Sequence, residues 1–461
     1  MISGILGIDL GTSSVKLIFT DGARTYKSGE RYESADPEGW WSALCRAARG
    51  IPAERVRAVG LSSQVGTYVT SGGECIGWSE PVGRAELDGI LSEIPREEFE
   101  REISMPHPLV ASYPLPRLKY IKEKHPDTGW VCMPKDILCE RLTGRRVTDV
   151  FSWRGLANLR EGHYSEGLLK KLSLSGIELP YLASPFDLAG GITEGSAAET
   201  GLPKGIPVYI GCNDFFSGLI GMGIGKVGDM FDITGTSEHL GIVRADIPKE
   251  DGGLVCGPYF FENVHYGVTA SGGCSFDLAA SLCELSAIDA YASLERNPPI
   301  FLPYLCGERA PIWDSDSRGV YFGLEKGCRR EELAYSAAEG VVFSIYHIYE
   351  CMGRPEAECM ITAGGAGRDP MLNKMKASLF GLPVMAAAEK DSSALGAVIC
   401  AAVGSGACAD LREAMDSVCE YSETAEPDEW LGERLLERFE IYKRLYPALK
   451  NEFQLLKGVR K

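Results

Sequence analysis

Residues Pro207 to Val243, PVYIGCNDFFSGLIGMGIGKVGDMFDITGTSEHLGIV, are the most informative segment of this chain. Its first apolar run, 208–210, predicts a buried strand that ends shortly before a carboxylate, Asp214. Ligands gather at the carboxyl edges of such strands. From Met230 onward, the stretch predicts a strand, a tight turn at 234–237 (TGTS) and a return strand. Hydroxyl groups and bare amides at the tip of that turn suit an anionic ligand.

A similar hairpin lies close to the N-terminus. Residues 5–19, ILGIDLGTSSVKLIF, contain an apolar strand, an aspartate, a Gly-Thr-Ser turn and a second apolar strand. Glycine lets the backbone turn tightly, and the turn offers hydroxyl and amide groups to phosphate oxygens. Alone, this pattern favours an ordinary turn over a ligand site. Its second copy in the other half of the chain predicts two related domains.

Length and composition are typical of a soluble two-domain enzyme. The chain has 461 residues, too many for one ordinary domain and enough for two well-buried ones. The net charge of −17 argues against a nucleic-acid partner, which requires clustered Lys and Arg. No apolar run approaches the ~20 residues of a membrane span, and the N-terminus lacks a signal-peptide pattern. We therefore expect a cytoplasmic protein with no membrane partner.

The cysteines carry no recognisable site. Fifteen are scattered through the chain, without a C-x-x-C pair or the paired spacing of a zinc site. We interpret them as free thiols in a reducing compartment. The G-x-x-x-x-G-K-[ST] loop of Walker-type kinases is also missing, which excludes that class of enzyme.

Further motifs make the chain resemble the FGGY carbohydrate kinases, the family of glycerol kinase and xylulokinase. The block 301–311, FLPYLCGERAP, is very close to the xylulokinase pattern Phe-Leu-Pro-Tyr-Leu-x-Gly-Glu-Arg-x-Pro. Residues 131–144, VCMPKDILCERLTG, are similar to the family's Leu-Pro-Lys-Asp-Tyr-Leu…Leu-Thr-Gly. The resemblance extends from Ile5 to Ala402. It implies an α/β fold with two actin/hexokinase-like (ribonuclease H-like) domains and a cleft between them.

The resemblance also implies how the domains divide the ligands. We place the boundary after residue 224, with a sugar-binding domain at 1–224 and an ATP-binding domain at 225–461. Asp9, at the end of the first strand, is the candidate for holding Mg²⁺ through water. The candidates for ATP contacts are Gly11, Thr12, Ser13 and Lys16 in the first hairpin, Gly235 and Thr236 in the second, and Gly364, Gly365, Ala366 and Asn373 at a glycine turn that lines the adenosine pocket in the family.

The predicted sugar contacts depart from the family pattern. Gln64 stands at the position of a substrate-contacting glutamine, but the histidine of the xylulokinase sequence Gln-Met-His-Gly is missing from the segment 64–67, QVGT. Arg84, in an altered version of the family's Trp-Asn-Asp-x-Arg segment, is the second candidate. Glu80 in the same segment is explained as well by a solvated turn. These departures leave the identity of the sugar open.

Two further interpretations concern packing. Within the block 301–311, we expect Glu308 and Arg309 to form a structural ion pair. Residues 392–397, SSALGA, resemble a family helix that buttresses the adenosine pocket.

Asp214 is the candidate general base. Phosphoryl transfer from ATP to an alcohol needs an anchor for the phosphates, a metal to spread charge, and a group that aligns and deprotonates the hydroxyl. Family members carry their catalytic aspartate at this Gly-x-x-Asp position, so the resemblance implies that Asp214 binds the sugar hydroxyl and accepts its proton. The simpler alternative is that Asp214 is the N-cap of a helix that starts at Phe215.

The predicted function is phosphorylation of a small sugar or polyol by ATP and Mg²⁺, with a ketopentose such as xylulose or ribulose as the favoured substrate. One alternative is an ATPase of the actin or chaperone class, which shares the paired hairpins but gives no reason for the block 301–311. Another is a pseudokinase or sensor that binds sugar without turnover, which the altered loop at Gln64 leaves open. A homodimer is a further expectation from the resemblance.

Overall fold

The computed structural model describes residues 2–105, 110–248, 252–260, 262–285 and 288–459. The chain forms two compact units. The first unit contains Met1–Gly225 and Asp391–Cys419, and the second contains Lys226–Lys390 and Glu420–Lys461. A single division after residue 224 does not describe these units, because the segment 391–419 is part of the first one.

The described residues of the first segment of the first unit form thirteen strands and eight α-helices. The strands are β1 (Ile5–Leu10), β2 (Ser14–Thr20), β3 (Thr25–Arg31), β4 (Ala58–Ser63), β5 (Tyr68–Thr70), β6 (Cys75–Ile76), β7 (Val131–Cys132), β8 (Val147–Asp149), β9 (Ala157–Asn158), β10 (His163–Tyr164), β11 (Tyr181–Ala183), β12 (Leu188–Gly191) and β13 (Pro207–Asn213). The helices are α1 (Pro37–Ala48), α2 (Arg84–Glu93), α3 (Arg96–Ile103), α4 (Pro114–Lys124), α5 (Pro134–Thr143), α6 (Glu166–Lys171), α7 (Glu194–Thr200) and α8 (Asp214–Gly221).

The next elements along the chain belong to the second unit, and the C-terminal segments of both units come after them. The strands are β14 (Met230–Thr234), β15 (Glu238–Arg244), β16 (Val255–Tyr259), β17 (Glu262–Val268), β18 (Ile300–Leu302), β19 (Val320–Phe322), β20 (Met360–Gly364) and β21 (Val384–Ala387), with helices α9 (Gly273–Leu282), α10 (Ala290–Glu295), α11 (Arg330–Cys351) and α12 (Pro370–Phe380). The first unit is completed by α13 (Ser392–Gly404) and α14 (Leu411–Val418), and the second by β22 (Tyr421–Ala425) and α15 (Glu429–Val459).

A six-stranded sheet with the order β12-β13-β4-β1-β2-β3 is the centre of the first unit. β1 and β2 form the predicted antiparallel hairpin, from the pair Ile5–Thr20 to the pair Leu10–Val15. β4 lies between β1 and β13 and is parallel to both. The carboxyl ends of these three strands therefore meet at one edge of the sheet, where ligands commonly bind in open α/β sheets.

Helix α13 packs on this sheet through glycines. A Cβ atom on Gly7 of β1 would lie 2.1 Å from the carbonyl oxygen of Ala394, and one on Gly60 of β4 would lie 1.9 Å from that of Ala397. Both distances are too short for any side chain, so the helix can approach the strands only at glycine. Helix α13 therefore supports β1 and β4 of the first unit, and its role beside the adenosine pocket stays a prediction.

A seven-stranded sheet with the order β16-β17-β15-β14-β20-β21-β22 is the centre of the second unit. β14 and β15 form the second predicted hairpin, from the pair Met230–Ile242 to the pair Thr234–Glu238. β20 is parallel to β14, and β21 is parallel to β20. In each unit, the first strand of an antiparallel hairpin also pairs with a parallel strand on its other side. This shared arrangement confirms the prediction of two related domains.

Two properties concern the described chain as a whole. All fifteen cysteines are free thiols, and Cys306 is the exposed one among them. None of the described helices combines the length and the apolar composition that crossing a membrane requires. Most residues of the long helix α11 are buried.

Candidate active site

Asp214 follows β13 directly and is the first residue of α8. The preceding residue caps this helix, because the Asn213 side chain accepts a hydrogen bond from the N–H of Phe216 at 2.9 Å. The alternative in which Asp214 is the N-cap is therefore wrong. The Asp214 carboxylate accepts a hydrogen bond from the N–H of Phe215 at 2.8 Å and is partly exposed.

The surroundings of Asp214 favour its protonated form. Burial raises the pKa of Asp214 to about 7, and the negative charge of Asp9 acts in the same direction. Asp9 lies near the carboxyl end of β1 and Asp214 directly follows β13, and both strands are parallel to β4, so the topology explains their mutual effect. A carboxylate whose pKa lies near neutral pH is well suited to accept a proton from a substrate hydroxyl.

Asp9 lies near the end of β1 and is 7% exposed. Ser62 Oγ donates a hydrogen bond to Asp9 Oδ1 at 2.8 Å. Burial raises the pKa of Asp9 to about 6, and the Ser62 hydrogen bond and the charge of Lys16 oppose this increase. Asp9 is thus a nearly buried acid beside a second acid, with no buried cation as its partner in the described part of the first unit.

This arrangement fits a Mg²⁺ ion. Mg²⁺ prefers oxygen ligands, and a cation would compensate the repulsion between the carboxylates of Asp9 and Asp214. Within the described residues, no group of three or more His, Cys, Asp or Glu side chains could hold a metal ion. A bound Mg²⁺ would therefore take most of its ligands from water and from a phosphate-bearing substrate, as is usual for this ion.

The turn of the first hairpin is open to solvent. The N–H of Gly11 donates to the carbonyl of Ser14 at 2.9 Å, and the side chains of Thr12 and Ser13 are exposed. Lys16 is half-exposed, and its Nζ lies 2.7 Å from Asp391 Oδ1. Hydroxyls and amides of the turn are therefore available to an anion, whereas the ammonium of Lys16 is already paired.

The two predicted sugar contacts differ in their surroundings. The N–H of Gln64 donates to the carbonyl of Leu10 at 2.9 Å, which places this residue at the edge that carries Asp9. Gln64 is 5% exposed, and its Oε1 has no hydrogen-bond partner among the described residues. Arg84 instead begins α2 with a largely exposed side chain, and its Nε lies 3.0 Å from Asp88.

Arg117 holds the altered segment around Glu80 and was not predicted. This residue of α4 is 1% exposed, and its Nη2 donates to the carbonyls of Trp78 and Glu80 at 3.1 and 3.0 Å. Its Nε and Nη1 are buried and have no partner within the described residues. Burial lowers the pKa of the Arg117 guanidinium. No feature of its local sequence, 114–120 (PLPRLKY), distinguishes this cation from a solvated one.

A buried ion pair supports the end of β13. Lys135 Nζ lies 2.7 Å from Asp149 Oδ2, and both side chains are at most 1% exposed. Lys135 also donates to the carbonyl of Ile210 at 3.3 Å, and Asn213 Nδ2 donates to the carbonyl of Phe151 at 3.0 Å. The segment that follows β8 thereby fixes the strand end from which α8 begins.

The turn of the second hairpin is also exposed. Gly235 and Thr236 lie on the surface, and the N–H of Gly235 donates to the carbonyl of Ser237 at 3.1 Å. The N–H of Gly273 donates to the carbonyls of Gly235 and Thr236 at 2.9 and 3.1 Å. The start of α9 therefore supports the turn through the turn's carbonyl groups and leaves its hydroxyl side free for a ligand.

The glycine turn after β20 contacts the base of the second hairpin. Gly364 has a φ of 91°, and a Cβ atom there would lie 2.0 Å from the carbonyl oxygen of Thr234. The N–H of Gly365 donates to the same carbonyl at 2.9 Å. Gly365 is exposed and Ala366 half-buried. Two of the predicted nucleotide contacts, the hairpin and the glycine turn, are thus joined by a direct backbone hydrogen bond.

Two other predicted residues have internal roles. Asn373 is 3% exposed, and its Nδ2 donates to the carbonyl of Gly367 at 2.9 Å. Glu308 is 4% exposed and accepts hydrogen bonds from the N–H groups of Ala270 and Arg309 at 2.6 and 2.7 Å. Burial raises the pKa of Glu308 to about 7. The ion pair predicted between the side chains of Glu308 and Arg309 is not formed within the described chain, so that prediction is wrong.

The chain matches the N-terminal domain of the FGGY family of carbohydrate kinases at residues 4–221 and the C-terminal domain of that family at residues 233–405. The xylulose kinase of Bacillus subtilis (strain 168) is 25% identical, with 99% of each chain covered. The gluconokinase of the same organism is 26% identical, with 87% of each chain covered.

A solved structure agrees with the two-unit fold. The ligand-bound xylulose kinase from Lactobacillus acidophilus matches with a TM-score of 0.86 at 22% identity, over 98% of this chain and 99% of that one. The two family domains together cover most of the chain, which decides against an ATPase of the actin or chaperone class. The chain therefore belongs to the FGGY family of carbohydrate kinases, which are phosphotransferases.

Proposed function

We propose that this carbohydrate kinase phosphorylates a ketopentose, such as xylulose or ribulose, with ATP as donor and Asp214 as general base. The observation that carries the proposal is the state of Asp214. Its carboxylate is partly exposed at the end of a central strand, Asn213 performs the capping, and burial together with Asp9 raises the pKa of Asp214 to about 7.

The proposed reaction needs one proton acceptor. The Asp214 carboxylate accepts the proton of the substrate hydroxyl, and the resulting nucleophilic oxygen attacks the γ-phosphorus of ATP. The bond from that phosphorus to the β,γ-bridging oxygen breaks, and ADP leaves. The negative charge of Asp9 raises the proton affinity of Asp214 and so makes it a better base. Asp9 would hold Mg²⁺, which when bound spreads the negative charge of the phosphates.

The proposed ATP contacts are the exposed turns. The exposed hydroxyl and amide groups of Thr12, Ser13 and Thr236 are suited to phosphate oxygens. The N–H groups of Gly11 and Gly235 already donate to the carbonyls of Ser14 and Ser237, so these glycines are proposed to shape the two turns. The turn 364–366 is proposed to contact the nucleoside, because glycine permits close approach of a flat ring. Lys16 would have to leave Asp391 to reach a phosphate. Asn373 supports the glycine turn from inside.

Gln64 is the better supported of the two proposed sugar contacts. Its buried Oε1 has no partner in the described chain, and a sugar hydroxyl would supply the missing donor. Arg84 is exposed and already paired with Asp88.

A ketopentose is supported by the block 301–311 and by coverage. The match to the B. subtilis xylulose kinase extends over 99% of each chain, compared with 87% for the gluconokinase. Gluconate is a second candidate, favoured by the slightly higher identity of that gluconokinase, 26% compared with 25%.

A substrate panel tests the proposal. Release of ADP from ATP is measured with xylulose, ribulose, gluconate, glycerol and glucose, and without added sugar. We expect the highest kcat/KM with a ketopentose and little ADP without sugar. The highest kcat/KM with gluconate would replace the proposed substrate. Absence of ADP with every compound, from protein that binds ATP, would indicate a pseudokinase.

A further inference from the structure

The second unit has a buried polar layer beneath its hairpin. We define it by six residues that are at most 3% exposed: Asp232, Thr234, Glu238, Thr362, Asn373 and Lys376. Register places the strand residues on one face of the sheet, since Asp232 pairs with Thr362 and Thr234 pairs with Glu238. The other two members lie three residues apart on α12 and so share one side of that helix.

Lys376 holds the base of the hairpin. Its Nζ forms an ion pair with Asp232 Oδ2 and donates a hydrogen bond to Thr234 Oγ1 at 3.3 Å. Both charged side chains are 0% exposed. An ammonium group is retained at such a depth only with a charged partner, because an isolated buried charge is highly unfavourable. The position of α12 and the position of the hairpin are therefore coupled.

The same layer holds the glycine turn. Asn373 Nδ2 and Thr362 Oγ1 donate to the carbonyl of Gly367 at 2.9 and 2.6 Å. The N–H of Gly365 donates to the carbonyl of Thr234 at 2.9 Å. Helix α12 thus contacts both proposed nucleotide-contacting turns, through Lys376 on the hairpin side and Asn373 on the other.

Glu238 lies near this ion pair but does not replace Asp232 as the partner of Lys376. Both oxygens of the Glu238 carboxyl group are buried without a hydrogen-bond partner among the described residues. Burial raises the pKa of Glu238 well above its ordinary value, and the nearby charge of Asp232 acts in the same direction. Burial and the neighbouring Asp232 thus both disfavour the ionised form of Glu238, and the ion pair of this layer is the one between Lys376 and Asp232.

We propose that Lys376, paired with Asp232, is a positioning residue for ATP: it fixes the turn at Gly235–Thr236 against the turn at 364–366 before the nucleotide binds. The inference rests on the proposed function of these two turns. Lys376 does not touch the nucleotide. A site that is ordered in advance does not have to be ordered on binding, and the loss of this order lowers affinity. Nucleotide affinity is therefore the property that Lys376 controls.

The test variant removes both charges at once. Asp232→Asn with Lys376→Met leaves no uncompensated buried charge. The dissociation constant for ADP is measured by calorimetry on the full chain, together with the melting temperature. We expect an increase of about tenfold in this constant, as for the loss of one well-placed hydrogen bond. An unchanged constant in a folded double variant would overturn the proposal.

A second buried pair in the same unit provides the matched control. Arg438 of α15 donates through Nε and Nη2 to Glu339 of α11, at 2.7 Å in each case. The variant Glu339→Gln with Arg438→Met removes a pair of the same kind that contacts neither turn. We expect a lower melting temperature and a dissociation constant for ADP within about twofold of the original, the range of changes with no direct role. An equal loss of ADP affinity in this control would show that Lys376 acts only through the general stability of the fold and would overturn the proposal.

Thr236→Glu tests the role of the hairpin turn separately from the positioning role of Lys376. This exposed substitution places a negative charge where the phosphates are proposed to bind and should weaken ADP binding by more than about tenfold. If Thr236→Glu has no effect, the proposed function of the hairpin fails. If it weakens binding while the double variant does not, only the positioning role fails.

Thr234→Val covers the case in which the double variant does not fold. It removes the hydrogen bond from Lys376 and keeps the ion pair. We expect the dissociation constant for ADP to rise about three- to fivefold, the effect of part of a hydrogen bond. An unchanged constant in this variant would also overturn the proposal.

Discussion

The first strands of the two hairpins each carry an aspartate, but one residue of offset gives these aspartates opposite surroundings. Asp9 precedes the glycine of its turn by two residues, whereas Asp232 precedes Gly235 by three. Because successive side chains of a strand point to opposite faces, this offset turns Asp232 to the other side of its sheet. The counterpart of Asp232 is Ile8, a fully buried core residue.

Similar motifs can therefore give the same residue type different roles. Asp9 keeps 7% exposure and shares its surroundings with another acid, Asp214, as a ligand-binding residue does. Asp232 is 0% exposed and is paired with Lys376, as a structural residue is. The comparison predicts that one aspartate controls catalysis and the other stability and nucleotide affinity.

The largest effect is expected for Asp214→Asn. Without a proton acceptor, kcat should fall by about a thousandfold or more, the upper part of the range for general bases. The dissociation constant for ADP should stay within about twofold, since this side chain is not proposed to contact the nucleotide. Steady-state ADP release and calorimetry provide the two numbers.

Asp36→Asn is the matched control for that variant. Asp36 caps α1 of the same unit, and asparagine is an equally good cap. Near-normal kcat in Asp214→Asn would remove Asp214 from the mechanism. A large loss in Asp36→Asn would show that the assay responds to unrelated changes.

The next effect separates the two hairpin aspartates. Asp9→Asn should lower kcat by about a hundredfold, as expected when a metal ligand is lost, and raise the Mg²⁺ concentration needed for half-maximal activity. It should not lower the free energy of unfolding. The pKa of Asp9 is raised to about 6, so its charged form destabilises the folded state above that pH.

Asp232→Asn should do the reverse. It leaves the ammonium of Lys376 buried without its partner and should lower the free energy of unfolding by about 3–5 kcal/mol. Urea unfolding of both variants measures this difference. Equal stability losses in Asp9→Asn and Asp232→Asn would break the comparison.

A smaller effect is expected for Glu238→Gln. The folded-state pKa of Glu238 lies well above its ordinary value, so the unfolded chain loses its proton first as the pH rises. Glu238 therefore reduces stability progressively above its unfolded pKa, and a glutamine does not. The melting temperature of the variant should fall less than that of the original protein between about pH 5 and pH 8. Parallel curves would show that Glu238 is ionised in the folded protein.

Much of the fold could be predicted because it depends on patterns among residues that are close together in sequence. Both hairpins, the strand before Asp214, and α11 follow from apolar runs, turn residues and helical spacing. The role of the segment 391–419 could not be predicted. Its return to the first unit depends on close contacts at Gly7 and Gly60, and such contacts join parts of the chain that are far apart in sequence.

Part of the candidate site could be predicted, because some of its residues follow the ends of buried strands. The position of Asp214 follows from the end of a buried strand, and Gln64 from the end of another. The exposure of Arg84 and the burial of Arg117 could not be predicted, because both arginines lie in helices whose sequences are rich in charged residues. The roles of Lys376 and Asn373 depend on which side of α12 faces the sheet, which becomes visible only in the folded chain.

The pH dependence of kcat/KM for the sugar is the decisive test of Asp214 as the general base. Only the ionised carboxylate of Asp214 can accept a proton, so kcat/KM should fall tenfold per pH unit below a midpoint near its pKa of about 7. In Asp9→Asn, the loss of a neighbouring negative charge should move this midpoint to lower pH. A profile that is flat down to about pH 5, or a midpoint that Asp9→Asn leaves in place, would contradict the assignment of Asp214 as the base.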